Sequence, residues 1–318
     1  MNWVLVPQKI IDGLLQGGVL AVIAIGIVLI YRSSEIFNFA PGHMLMVGAY
    51  LTWFFAQFMG NLVEAKWIVL TVSTILALIC AVFIGILIER LTLRPMTGQP
   101  LLSIILMTLG LAQLFEGLVT FSFGVEPLSD FPTLFSSDSS WKIPIPPAPD
   151  GTPRVFLNQL TIPHTRFAAF VIALVVCVAL ILFFRYTNIG LSMRATSENH
   201  ELARSVGIQV PRVFGLSWAI AGVIATLGGI LLASISGVSI NLAFVALVAF
   251  PAILLGGLES FSGAMLGGLI IGLSSALVQA SKIPEVRNAA EIAPYVVLLI
   301  VLIFIPEGLF GEKRIERI

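Results

Sequence analysis

The chain has 318 residues, of which 58% are apolar and 11% are charged, with 17 basic side chains balanced by 17 acidic ones. A soluble domain carries about 25% charged residues to cover its surface, so this composition excludes an ordinary soluble enzyme and implies an exterior that faces lipid. The zero net charge and the lack of any basic stripe exclude a nucleic-acid footprint.

The apolar residues come in runs. Ile68 to Ile88 and Phe167 to Phe184 contain no charge, and roughly 20 apolar residues at 1.5 Å rise cross about 30 Å of hydrocarbon. The expected fold class is all-α, a polytopic transmembrane helical bundle of about eight or nine spans, organised as one domain. In chain order the spans are predicted at 10–31, 36–59, 67–88, 101–123, 165–184, 214–235, 241–257, 261–280 and 291–306. The first is longer than a signal-peptide core and lacks a strongly basic leader, so it reads as a retained helix. Pro41 near the start of the second makes that span broken or re-entrant. Pro251 interrupts the seventh, and the ninth is short, with Pro294 near its start.

Basic residues in short loops stay cytoplasmic. With nine spans one side receives Arg32, Arg90, Arg94, Arg185, Arg194, Arg204, Arg212, Lys313, Arg314 and Arg317, and the other receives Lys9, Lys66, Lys282 and Arg287. The expected orientation places the C-terminus inside. The long segment 124–164 then becomes an extracytoplasmic loop, rich in proline (Pro144, Pro146, Pro147, Pro149) and therefore not helical.

The segment 185–213 becomes a cytoplasmic loop with a short helix over 198–206. Ser197 is its expected cap, Glu198 and Glu201 complement the positive end of its dipole, and Arg204 sits near the negative end. Gly207 is the stop, and Pro211 follows. Leu202, Ala203 and Val206 are expected on one face, which is narrow for lipid and suited to a protein partner.

Within the spans, Gly13-x-x-x-Gly17, Gly263-x-x-x-Gly267 and Gly268-x-x-x-Gly272 predict close helix crossings, since lipid offers no hydrophobic drive for helix association. Ionisable residues inside a bilayer are functional candidates by default. Glu116, in the fourth span, is one; an interhelical hydrogen bond or an interfacial carboxylate is the simpler reading. Asp12 reads as interfacial, and the Glu89–Arg90 pair as an anchor. No arginine ladder, proton-relay chain, phosphate-binding Gly-x-x-x-x-Gly-Lys-[Ser/Thr] sequence or Ser/His/Asp arrangement appears. Cys80 and Cys177 read as buried small hydrophobes, and His43, His164 and His200 are too scattered for a metal. Any nucleotide-driven transport therefore needs its engine on another chain.

Three segments carry a resemblance. They are Phe37-Asn38-Phe39-Ala40-Pro41-Gly42-His43 through Gly48-Ala49-Tyr50; Gly190-Leu191-Ser192-Met193-Arg194-Ala195 through Asn199 and Ala203 to Gly207-Ile208; and Leu255-Gly256-Gly257-Leu258-Glu259-Ser260-Phe261 through Gly267-Gly268. In order and spacing the chain resembles the membrane permease subunits of bacterial ABC importers for branched-chain amino acids, and the related urea and amide permeases. That resemblance implies a multi-pass inner-membrane protein paired with a second homologous permease subunit, two cytoplasmic ABC ATPase subunits carrying ATP and Mg, and an extracytoplasmic substrate-binding protein, with no cofactor on this chain. It implies an ATPase-coupling role for Glu198, Asn199, Ala203 and Gly207. Asn38 and Gly42, at an interrupted helix, join Glu116 as translocation-path candidates, because broken helices often line transport sites.

The chain departs from the family pattern at Pro41, where many relatives have His or Gln, and at Ile305, where many have Arg before the Pro-x-Gly-Leu-Phe-Gly ending. These departures leave the solute open between amino acids and urea or short amides. A stand-alone facilitator or secondary transporter is the alternative of a different class, and it would need a coupling-ion site of its own. A membrane-embedded enzyme ranks third, lacking an acid/base or metal cluster.

Overall fold

The computed structural model describes residues 5–34, 38–96, 98–128, 130–133, 135–136, 139–144 and 159–311, without the side chains of Ser34 and His200. Phe37, Pro146, Pro147, Pro149, Arg154, Lys313, Arg314 and Arg317 lie outside the described residues.

The centre of the bundle is α1 (Val6–Ser34). From Val19 to Ile30 its apolar side chains are buried on every face, as expected of a helix that is apolar all round. Around it pack α5 (His164–Tyr186), α8 (Val210–Ser236), α9 (Val245–Gly256) and α10 (Phe261–Gln279). On α8 lie α2 (Pro41–Gly60) and α3 (Lys66–Ile88), while α4 (Leu101–Phe123) stands at the periphery against α2 and the 3-10 turn Ile240–Phe244. The chain closes with α12 (Ala293–Phe304) against α9 and α10; the short α11 (Pro284–Asn288) precedes it.

The three glycine motifs sit at contacts between backbones. A Cβ on Gly272 would lie 2.5 Å from Gly17 Cα, and one on Gly17 would lie 2.8 Å from Leu269 Cα, so α1 and α10 touch main chain to main chain. The other motif, Gly263 and Gly267, performs the same service between α10 and α9, against Gly256 and Ala252. Small residues of this kind are what allow helices to associate in lipid.

The bundle has two ends. Lys9 Nζ meets Gln279 Oε1 at 3.1 Å, and Leu128 bridges to Val238, which gathers the start of α1, the end of α10 and the segments after α4 and α8. At the other end Arg32 donates to the Glu259 carbonyl at 2.9 Å, and the backbone N–H groups of Leu309 and Phe310 donate to Leu255 and Gly256. The described chain therefore enters at one end and finishes at the other.

Among the described residues, six helices are long and apolar enough to cross a membrane, or seven if the pair 284–291 and 293–304, bent by 72°, is one span. The expected eight or nine spans are not reached by this measure, for local reasons. The stretch 240–256 is short, beginning in a 3-10 turn and carrying Pro251. In α2 the polar Gly42, His43, Thr52 and Gln57 dilute the apolar content.

The helix α2 also starts inside the bundle. Leu45 touches Gly228 of α8, which meets Ile23 of α1, and Ile23 is about 25 Å along α1 at 1.5 Å per residue.

The all-α expectation needs one correction. Ser140–Pro144 (β1) and Gln159–Pro163 (β2) pair antiparallel, Ser140 opposite Pro163. Proline excluded helix there but not an extended ribbon. Gln8 holds it from α1, its Nε2 donating to the Thr161 carbonyl and its Oε1 accepting the Thr161 N–H, both at 2.8 Å. The side-chain amide thus completes β2 as a neighbouring strand would. Cys177 is buried as expected, whereas Cys80 is half-buried.

Substituting Gly272→Ala should destabilise the protein by about 1–3 kcal/mol through overpacking against α1. Gly110→Ala, which meets nothing within 4 Å, should leave stability unchanged or slightly raised. Thermal unfolding of the two variants in detergent checks the difference.

Candidate translocation path and coupling segment

The first turn of α2 is set among polar groups. Asn38 is 2% exposed; its Oδ1 accepts the Ala40 N–H at 2.9 Å, and its Nδ2 is buried without a partner among the described residues. This local side-chain bond fixes the backbone just ahead of the helix. Phe39 N–H reaches Thr108 Oγ1 of α4 at 3.4 Å, and the Phe39 ring lies 5.5 Å from that of Phe250 on α9. Gly42 is a close-approach position, since a Cβ there would collide with the Ala243 carbonyl oxygen. One residue on, His43 Nε2 lies 3.2 Å from Glu116 Oε2, while His43 Nδ1 is buried without a partner among the described residues. The first N–H groups of a helix have no intrahelical acceptor and carry its positive end, so the start of α2 is a donor-rich spot within an apolar bundle.

Asn38, Gly42 and Glu116 thus gather around one helix start. They do not form a single cage: Thr108 and Glu116 are about 12 Å apart along α4, which gives two polar stations, one below Asn38 and one at the His43–Glu116 contact. Of the two readings of Glu116, the interhelical hydrogen bond is the observed one. His43 and Thr108 were missed as partners. A usable signal existed in His43, the one imidazole in α2, placed in its first turn, with Glu116 the one carboxylate within α4.

At the end where α1 finishes, the segment after α5 differs from expectation. It holds two helices, α6 (Asn188–Glu198) and α7 (His200–Ser205). The hydroxyl of Thr187 caps α6 by accepting the Gly190 N–H at 3.1 Å; a Thr three residues ahead of a glycine hid this start. Glu198 ends α6 and does not open the short helix. Asn199 is the cap of α7, its Oδ1 accepting the N–H groups of Glu201 and Leu202 at 2.9 and 3.0 Å, whereas Ser197 bonds back to the Arg194 carbonyl. The rod is therefore shorter than 198–206, because Ser197 is already inside a helix.

The expected shared face also splits. Ala203 is 3% exposed, on the side where α7 packs against α8, while Leu202 and Val206 are 66% and 75% exposed. Gly207 ends the helix at φ +89°, the left-handed conformation that glycine adopts without strain. Pro211 is in the first turn of α8, which begins immediately.

The expected anchor residues redistribute as well. Glu89, 3% exposed, pairs with Arg94 and not with Arg90 (Nε to Oε1 3.2 Å, Nη2 to Oε2 3.1 Å). Asp12 lies 3.9 Å from both Lys9 and Arg166 at the opposite end.

With this geometry in place, the comparisons decide the family. A family model described as the branched-chain amino acid transport system permease component matches residues 9–306. The chain belongs to that family of permeases. It is 30% identical, over 98% of its length and 97% of the relative, to the high-affinity branched-chain amino acid transport system permease protein LivH of Salmonella typhimurium. Against LivH of Escherichia coli the identity is 29% over the same shares, and against BraD of Pseudomonas aeruginosa it is 26%, covering 98% and 97%. No solved structure matches. The match runs through residues 198–207 and the start of α2 alike, so both belong to the shared body of a multi-pass membrane permease.

Asn199→Ala should weaken α7 by about 1 kcal/mol, the usual cost of a lost N-cap, and speed amide hydrogen exchange at Glu201 and Leu202. Ser197→Ala should leave both amides unchanged. Equal exchange in the two variants would contradict the cap assignment.

Proposed function

We propose that this chain is the membrane permease subunit of an ATP-driven importer that moves branched-chain or similarly small apolar amino acids across the bacterial inner membrane. The observation that carries this reading is the near full-length similarity to LivH and BraD. In this reading the segment 198–207 faces the cytoplasm and the 124–164 loop is extracytoplasmic; α2 and 240–256 count as further membrane-embedded segments, giving eight or nine in all. A second homologous permease completes the pathway, an extracytoplasmic binding protein delivers the solute, and two cytoplasmic ABC ATPase subunits hold the ATP and Mg. Nothing catalytic resides on this chain.

The mechanism follows from the two sites. A zwitterion entering an apolar bundle needs polar groups at mid-depth, because stranding its charges there is costly. The donor-rich start of α2 with Asn38 suits a carboxylate, and Glu116 suits an ammonium, each at a different station along the path and with the partner permease supplying the complement. Gly42 keeps α2 and the 240–246 turn in register. On the ATPase side, Leu202 and Val206 form the apolar edge that docks, and Ala203 passes the displacement to α8. Asn199 and Gly207 define the ends of the rod, and Glu198 joins it to α6.

Uptake of labelled leucine by the reconstituted complex should fall to background when the ATPase partners are made hydrolysis-defective. The same background should be seen for this chain without them; uptake by the chain alone would refute the reading. Cysteine placed at Val206 should cross-link to a cytoplasmic ATPase, while cysteine at the buried Ala203 should not. For the path, Glu116→Gln should reduce transport at least about tenfold, the scale of losing one charge-assisted hydrogen bond, with assembly of the complex unchanged by size-exclusion chromatography.

A further inference from the structure

Between the end of α3 and the foot of α8 is an open cleft of about 740 Å³, lined by Arg90, Arg94 and Arg212 on its polar side and by Ile86 and Leu216 on its apolar side. Beyond Ile88 the helix widens into a π turn, Glu89–Leu93, that packs against α8. Glu89 is buried there, its carboxylate 3.7 Å from where a Cβ on Gly215 would be. It binds Arg94 through both oxygens and so fixes one wall. The side chains of Arg90 and Arg212 are exposed, and their guanidinium groups have no hydrogen bond or ion pair among the described residues. One carboxylate against three guanidinium groups leaves the cleft positive.

We infer that this cleft binds the headgroup phosphate of an anionic phospholipid, between Arg90 and Arg212, with the acyl chains running up over Ile86 and Leu216. Depth supports a lipid over other anions. The 23 residues of α3 span about 34 Å, so Arg90 emerges where hydrocarbon gives way to headgroups. Arg212 is the third residue of α8 and emerges at the same level. Ile86 and Leu216, 43% and 44% exposed, lie one turn deeper. A soluble protein could reach the arginines but would leave that apolar rim uncovered, whereas a phospholipid covers both. Basic pockets between membrane helices recognise lipid headgroups in this way. The inference rests on the membrane-spanning character of α3 and α8 and not on the solute carried.

The test uses the full-length chain purified in detergent with its partner subunits, titrated with phosphatidylglycerol, phosphatidylcholine or inorganic phosphate while thermal unfolding and lipid adducts by native mass spectrometry are followed. Phosphatidylglycerol should bind about an order of magnitude more tightly than phosphatidylcholine and raise the unfolding temperature, with inorganic phosphate inert. The double variant Arg90→Gln/Arg212→Gln should lose that preference. So should Leu216→Glu, which keeps both arginines but sets a carboxylate against the acyl chains. Arg185→Gln, on α5 at the same end, should retain it. Equal binding of the two lipids, a preference that survives the double variant, or an equal effect of inorganic phosphate would each overturn the assignment. Leucine uptake measured alongside reports separately on the proposed function.

Discussion

The structure depends on backbone touching backbone. In lipid there is no hydrophobic gain from bringing two apolar helices together, so the contact itself must supply the stability through packing. The seam of Gly13 and Gly17 against Gly268 and Gly272 achieves this by leaving nothing larger than the methyl groups of Ala21 and Ala276 beside these glycines, so that the backbones of α1 and α10 meet. Because the α9–α10 hairpin is closed by the same device at Gly256, Gly263 and Gly267, α1, α9 and α10 form one tightly packed unit. The helices with most of their surface exposed, α3, α4 and α5, are arranged around it.

That unit creates a problem for α2. A helix that begins inside an apolar bundle brings in unpaired N–H groups, which lipid cannot satisfy. The sequence answers with short polar side chains at the interruption: Asn38 takes the Ala40 N–H, and Thr108 takes that of Phe39. Among the described residues the pairing is incomplete, since Asn38 Nδ2 and His43 Nδ1 are buried without partners. Buried donors and acceptors left unpaired cost about 1–3 kcal/mol each, so a structure that keeps two of them beside one helix start holds capacity for a polar guest there. The helix α8 connects this spot with the segment 198–207. Leu45 and Ala49 of α2 lie against Gly229 in its far half, and α7 packs against its foot, one turn after Gly207 releases the chain.

Much of this was legible in the sequence. The apolar runs located the helices closely; 101–123 coincides with α4. The glycine spacings located crossings, because a small-residue stripe in an apolar helix has few other uses. Gly207 was recognisable as a stop because its requirement is purely local. The failures came where two local signals competed. Ser197 and Asn199 are both good caps, and only the burial of Met193 and Thr196 in α6 decides that the chain is already helical at Ser197. The face of α7 was misjudged because Ala203, the residue after Leu202, lies about 100° round the helix from it, and α8 packs on the Ala203 side while Leu202 and Val206 stay exposed. The pairing of Glu116 with His43 was missed because the contact between α2 and α4 is tertiary: His43 stood out as a polar residue in an apolar run, but spacing along the chain does not say which helix it faces.

The shortfall of hydropathy-detected spans and the location of the proposed path have the same origin. Hydropathy counts a helix as membrane-spanning when its residues prefer lipid, and α2 falls short because of His43, Gln57 and its glycines. The stretch 240–256 falls short because it is cut by a 3-10 turn and a proline. Yet these two segments meet, Gly42 against Ala243 and Ala246. A bundle that was apolar throughout would seal the bilayer and give a zwitterion no foothold. Residues that weaken the membrane signal are therefore the ones a transporter requires along its route. In a permease, the helices that hydropathy ranks lowest among the embedded segments are where the path is to be sought.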